Sequence, residues 1–171
     1  RRIHGIDAGL KSARSFHMAG VYATSNVLAG AAYGVPISGT MAHSFIQAHD
    51  NEYEAFQNFA RSFPQTVLLV DTFDSLQGTR KVIQLATELG AEFQIRGIRI
   101  DSSDLKALAF DLRRELDEAG LQGVNIFASG SLDDFVIQDL IESGAPVDGF
   151  GVGTKMGVSH DAPYLDMVYK L

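Results

Sequence analysis

The sequence predicts an α/β fold, an irregular and incomplete TIM-like parallel β/α barrel, on three observations. Short apolar, β-branched runs alternate with amphipathic helical stretches. Each of the helical stretches from residue 75 to 143 is followed by a glycine, at Gly90, Gly120 and Gly144. Each apolar run ends in a polar or glycine-bearing group, where a parallel barrel carries its chemistry.

The elements follow in order. Residues 10–33 are rich in Ala, Leu and Val, with Gly20 as an interruption, so a helix, a break and a second helix are expected, the second capped at Thr24 or Ser25. Residues 35–38 read as a short extended piece. Residues 41–48 and 51–61 read as helices with Asp50 as the cap between them. The run Thr-Val-Leu-Leu-Val at 66–70 is a buried strand, and 75–89 is a helix. Residues 93–100 form the next strand. In the helix at 104–119, Leu105, Leu108, Leu112 and Leu116 fall on one stripe and Asp104 stands at the cap position. A strand at 124–128, a helix at 133–143 and a strand at 147–152 complete the alternation, and 167–171 suggests one more strand. The rival is a doubly wound sheet. No GxGxxG follows the first strand and no acidic residue stands where a ribose would need it, which argues against a dinucleotide site.

The chain has 171 residues, a length that suits one domain, and it opens at Arg1-Arg2 without an initiator Met, which reads as part of a longer chain. The formal net charge of −7 argues against a general nucleic-acid binder. It leaves room for an anionic substrate held by a few placed cations and backbone amides. No apolar run is long enough to span a bilayer, and no membrane role is expected. With no cysteine there is no disulfide, thiolate site or thiol nucleophile, and a cytoplasmic setting fits.

The candidate chemistry stands at the strand ends: Asp71-Thr72, then Asp101-Ser102-Ser103-Asp104 with Arg99 just upstream, then Ser129-Gly130-Ser131, then Gly153-Thr154-Lys155. Two successive glycine-bearing loops that feed helix starts can make a phosphate pocket from backbone N–H groups and hydroxyls; the same glycines can simply close turns. Asp104 reads as a helix cap. Asp101 has no such role, and a carboxylate there can hold Mg²⁺ or ribose hydroxyls. Arg99, two residues earlier, shares its side of the strand. It either pairs with Asp101 or clamps a substrate carboxylate or phosphate as a planar fork. Of the five histidines, His43 stands out because it follows Gly39-Thr40 at a strand-to-helix junction, where a nucleophile or phosphate contact can sit.

Four stretches together carry a resemblance: SNVLAGAAYGVPISGTMAHSFIQAH (25–49), RIDSSDL (99–105), ASGSLDD (128–134) and GFGVGTKMGV (149–158). With the opening RRIHGIDAGL and the closing VYKL, the ordered set resembles nicotinate phosphoribosyltransferases over nearly the whole chain. The resemblance implies synthesis of nicotinate mononucleotide and pyrophosphate from nicotinate and phosphoribosyl pyrophosphate. ATP as co-substrate is coupled through a phosphohistidine, with Mg²⁺ present, in a cytoplasmic homodimer. By the same resemblance His43 is the phosphorylated histidine, Thr40 and Arg99 contact nicotinate, and Thr154 contacts the phosphoribosyl donor. Asp101 lies near ribose, diphosphate and metal. The loops of Gly130, Ser131 and Gly153 cradle the 5-phosphate, and Arg1 and Arg2 face the donor's phosphates. Ser103 stands where the family often shows Gly. The family's longer chains supply an aromatic contact from a preceding region, so the segment alone is expected to lack activity. Competing readings are a nicotinamide or quinolinate phosphoribosyltransferase of the same architecture, a non-catalytic assembly module, and an aldolase-like phosphate-binding barrel, for which Lys155 is the one lysine at a strand end.

Overall fold

A computed structural model describes residues 3–102, 104–159 and 161. The chain divides into two compact units, residues 1–39 with 152–171 and residues 40–151.

In the first unit, α1 (Ile6–Met18) starts after Gly5 and ends at Ala19, with Gly20 at φ 105° turning the chain away. The break expected at Gly20 is there, but the cap of α2 (Val27–Tyr33) is Asn26, whose side chain accepts from Ala29 N–H at 3.1 Å. Thr24, expected as the cap, instead forms a parallel bridge with Ile37. Its hydroxyl accepts from Asn26 N–H at 3.1 Å, a local turn that competes with capping. The short α8 (Thr154–Gly157) completes the described part of this unit, with Gly157 packed on Ile3.

The second unit holds α3 (His43–Gln47), α4 (Glu52–Ser62), α5 (Ser75–Leu89), α6 (Leu105–Glu118) and α7 (Asp134–Glu142). They accompany a parallel sheet of β1 (Val67–Leu69), β2 (Gly97–Ile100), β3 (Asn125–Ser129) and β4 (Gly149–Gly151). The strands lie in sequence order, so each crossover repeats the last with no reversal. A doubly wound sheet requires such a reversal, and right-handed crossovers without one stack the helices on a single face. Among the described residues the sheet is open, with β1 and β4 at its edges.

Several boundaries differ from the sequence reading. The helix expected over 41–48 is five residues long, and α4 is capped by Asn51 rather than Asp50, through Glu54 N–H at 2.9 Å. The strand expected from 93 begins at Gly97, where the ladder with β1 starts, and a 3₁₀ turn at Gly90–Glu92 precedes it. The last strand is confined to Gly149–Gly151. The strand expected at 167–171 lies outside the described residues. The stripe on α6 is buried as Leu105, Ala109, Leu112 and Leu116, so Ala109 takes the place given to Leu108. These side chains join Leu68, Val70, Ile98, Ile100 and Ile126 in the core. Burial of each large apolar side chain contributes about 1.5–3 kcal/mol.

α5 packs against both α4 and α6. Arg80 grips Glu115 with two hydrogen bonds of 3.0 and 2.8 Å, and this guanidinium holds the Glu115 carboxyl below the usual carboxylate range. Glu52, 2% exposed, pairs with Lys81 Nζ at 2.8 Å. Lys81→Met would leave that carboxylate buried without its cation, a class of change that costs about 3 kcal/mol or more. Urea unfolding should show that loss, and Glu52→Met with Lys81→Met should recover most of it. An unchanged midpoint for Lys81→Met would show that the pair contributes nothing.

Candidate active site

The residues that gather do so at the C-terminal ends of β1 and β2, in the second unit. Val70 N–H donates to Arg99 O at 3.1 Å, tying the two strand ends together before the chains turn into their loops. Gly78, in the first turns of α5, lies so close to the Val70 carbonyl that any Cβ there would clash. The β1 end is therefore fixed by α5 as well as by β2.

Asp71 and Thr72, the first residues past this end, each reach a neighbouring element. Asp71 Oδ2 accepts from Asp101 N–H and from Ser102 Oγ, the latter at 2.8 Å. That carboxylate bolts the turn after β2 to the end of β1. Thr72 Oγ1 lies 3.1 Å from His43 Nδ1. The opposite ring nitrogen, Nε2, lies 3.8 Å from Asp101 Oδ2, and the two side chains are 37% and 33% exposed. The imidazole thus stands between a hydroxyl and a carboxylate, half open to solvent.

Arg99 belongs to the same rim. Its Nη2 donates to Met41 O at 3.3 Å, two residues before His43. Thr40 Oγ1 donates to the same carbonyl at 3.2 Å. The Met41 carbonyl therefore fixes one edge of the guanidinium and the Thr40 hydroxyl at once. Gly130, at φ 89°, abuts the Asp101 carboxylate. A Cβ there would overlap Asp101 Oδ1 and come within 2.9 Å of the Asp101 carbonyl oxygen. Its first task is to make room for Asp101. Ser131 follows in the left-handed region at φ 50°, and Ser129 Oγ donates to Ile100 O at 3.2 Å, linking the ends of β3 and β2.

Five residues singled out from sequence thus fall into two contact sets, Thr40 with Arg99 on the Met41 carbonyl and His43 with Asp101 and Gly130, and the sets adjoin along the chain through Met41 to His43 and Arg99 to Asp101. Ser131 adjoins them in the chain. The start of α7, expected to face an anion, carries acidic groups of its own: Asp133 Oδ1 accepts from Val136 N–H at 2.9 Å, and Asp134 lies in the first turn. Asp104 caps α6 through Ala107 N–H at 3.3 Å, as its position suggested. Gly153 and Thr154 open α8 in the first unit, a helix of a single turn. Arg1, Arg2 and Ser103 lie outside the described residues. The sequence reading missed Asp71 and Thr72 as holders of other site residues. Their place at a strand end was the only signal, and their partners are about 30 residues away.

No group of three or more His, Asp or Glu side chains is arranged to hold a metal among the described residues. Asp101 offers one partly exposed carboxylate. That suits Mg²⁺ bound mainly by phosphates and water rather than by a protein cage. No described helix is long and apolar enough to cross a membrane.

No protein-family profile matches the chain. Individual proteins do. The nicotinate phosphoribosyltransferase pncB2 of Mycobacterium tuberculosis is 54% identical over 171 residues, covering all of this chain and 37% of that protein. A nicotinate phosphoribosyltransferase of Bacillus subtilis is 44% identical over 172 residues, covering all of this chain and 35% of that protein. The crystal structure of human nicotinic acid phosphoribosyltransferase superposes with a TM-score of 0.78 at 26% identity, over 89% of this chain and 42% of that one. The nicotinate-nucleotide pyrophosphorylase from Pyrococcus furiosus gives 0.77 at 25% identity, over 95% of this chain and 41% of that one. The chain spans little more than a third of the curated relatives it matches.

Proposed function

We propose that this chain, a segment that belongs to the nicotinate phosphoribosyltransferase family, carries the catalytic rim of an enzyme that joins nicotinate to a phosphoribosyl group for NAD salvage. The observation that carries the reading is the convergence of His43, Arg99, Asp101 and Thr40 on one rim. We read the open sheet as consecutive staves of a parallel barrel that the longer chain closes, in a cytoplasmic homodimer.

In this reading the nicotinate ring nitrogen forms the new bond to the anomeric carbon of phosphoribosyl pyrophosphate as the bond to the diphosphate oxygen breaks. The protein's contribution is positioning and charge stabilisation. Arg99, one edge of its guanidinium held by Met41 O, orients the nicotinate carboxylate. The Thr40 hydroxyl lines the same approach. Asp101 faces the ribose, and Gly130 and Ser131 shape the loop beside it. Asp101 would hold Mg²⁺ on the protein side, and the ion when bound would supply charge neutralisation for the leaving diphosphate. His43 attacks the γ-phosphorus of ATP: the ring nitrogen's lone pair forms the N–P bond, and the β,γ-bridging oxygen leaves with its electron pair on ADP.

The full-length protein, given nicotinate, donor and Mg²⁺, should form nicotinate mononucleotide, with ATP raising the yield. Nicotinamide should be a poor substrate because it lacks the charge that Arg99 recognises. Turnover of quinolinate in preference to nicotinate would favour the sister chemistry, and no nucleotide from any pyridine would favour an assembly role. Arg99→Lys keeps the charge but loses the planar fork. It should raise the KM for nicotinate about 10- to 100-fold, since a charge-assisted hydrogen bond contributes about 1.5–3 kcal/mol. Titration of initial rates against nicotinate at saturating donor checks it, and an unchanged KM would remove Arg99 from the nicotinate site.

A further inference from the structure

We propose that Thr72 is a positioning residue for His43, holding the imidazole with its proton on Nδ1 so that the lone pair lies on Nε2, on the side of Asp101. The inference rests on the phosphohistidine reading above. Thr72 Oγ1 is 3.1 Å from Nδ1, within hydrogen-bond reach, while Nε2 and Asp101 Oδ2 are 3.8 Å apart, beyond it. The bonded nitrogen is the one whose protonation the protein fixes, and the other is left for chemistry. Neutral imidazole in water prefers its proton on Nε2, so an acceptor at Nδ1 is needed to reverse the preference. The Thr72 hydroxyl, able to donate or accept, takes the accepting part in the proposed tautomer.

The surroundings keep this arrangement in place. Thr72 follows Asp71, whose carboxylate is engaged by Asp101 N–H and Ser102 Oγ. Asp101 is backed by Gly130. The hydroxyl on one side of the ring and the carboxylate on the other are thus anchored to the same strand end. The His43 backbone is restrained too, because Arg99 and Thr40 both donate to the Met41 carbonyl just before it. When Nε2 takes the phosphoryl group and ADP leaves, the Nδ1 proton stays on the ring, still donated to Thr72.

The test uses the full-length protein and γ-labelled ATP. Wild type should carry label on His43, on Nε2 by ³¹P NMR, and the ¹⁵N shifts of its neutral ring should report the Nδ1–H form. Thr72→Val, which removes the hydroxyl and keeps the shape, should label more slowly by on the order of 10- to 100-fold at unchanged Tm, as small misplacements of reacting groups do. Thr72→Ser should restore most of the rate. Label on Nδ1, an Nε2–H ring in the wild type, or a Thr72→Val variant labelled as fast as wild type would each overturn the proposal. If Thr72→Val does not fold, the two wild-type NMR measurements decide it. If wild type forms nicotinate mononucleotide but His43 is never labelled, the phosphohistidine reading fails first, and that result is distinct from a normal rate in the variant.

Discussion

His43→Ala in the full-length protein is expected to abolish ATP-coupled nucleotide synthesis and to leave slow, uncoupled transfer. The imidazole is the only nucleophile of its kind on the described rim, set between the Thr72 hydroxyl and the Asp101 carboxylate. Replacing it removes the proposed phosphoryl acceptor. The groups placed on nicotinate and donor, Arg99 and Asp101, are held by other contacts: Arg99 by the Met41 carbonyl, Asp101 by the Asp71 carboxylate and by Gly130. The substituted protein should therefore keep its fold and its nicotinate site. ADP and nicotinate mononucleotide measured in the same reaction check this. If ADP release remains locked to product formation in His43→Ala, the role given to the imidazole is wrong.

Gly130→Ala is expected to lower turnover by on the order of 100-fold. Two effects combine. The residue sits at φ 89°, a backbone conformation that an L side chain rarely adopts, and in its place a methyl group would overlap the Asp101 carboxylate. The strain costs about 1–2 kcal/mol and is felt in stability. The overlap is felt at the site, because the Asp101 carboxylate must turn away from the added methyl and the Asp101 carbonyl, 2.9 Å from it, must shift as well. A lower Tm with normal turnover would mean that the position of Asp101 does not matter to the reaction. A loss of turnover well beyond the loss of stability is the expected pattern.

What the sequence disclosed, and what it concealed, follows from the range of the interactions involved. The stripe on α6 and its Asp104 cap are local: the 3.6-residue period and a side chain bonding three residues ahead determine them. The parallel alternation was equally legible from helix length and glycine stops. The caps of α2 and α4 were misplaced because Thr24 and Asn26, or Asp50 and Asn51, are chemically equivalent candidates. The bridge from Thr24 to Ile37 is not written in either residue. The start of β2 was misjudged because residues 93–96 have strand composition, whereas the paired ladder with β1 runs from Val67↔Gly97, with only the Arg96 N–H to Thr66 O bond ahead of it. At the site, residue types and strand-end positions singled out His43, Arg99, Asp101 and Gly130 as candidates. The pairing of His43 with Thr72, and of Asp71 with the turn after β2, spans about 30 residues and exists only once parallel register brings the strand ends level. Gly130 looked like a phosphate-loop glycine. Its packing shows a nearer reason for lacking a side chain.

Guanidinium, carboxylate and imidazole are proposed to share one mouth that receives an aromatic acid and a sugar phosphate. The crystal structure of the full-length protein with nicotinate bound tests it most directly. The nicotinate carboxylate should lie within hydrogen-bond reach of Arg99 and Thr40, on the rim that bears His43 and Asp101. Nicotinate seated elsewhere, with Arg99 bound only to protein groups, would contradict it.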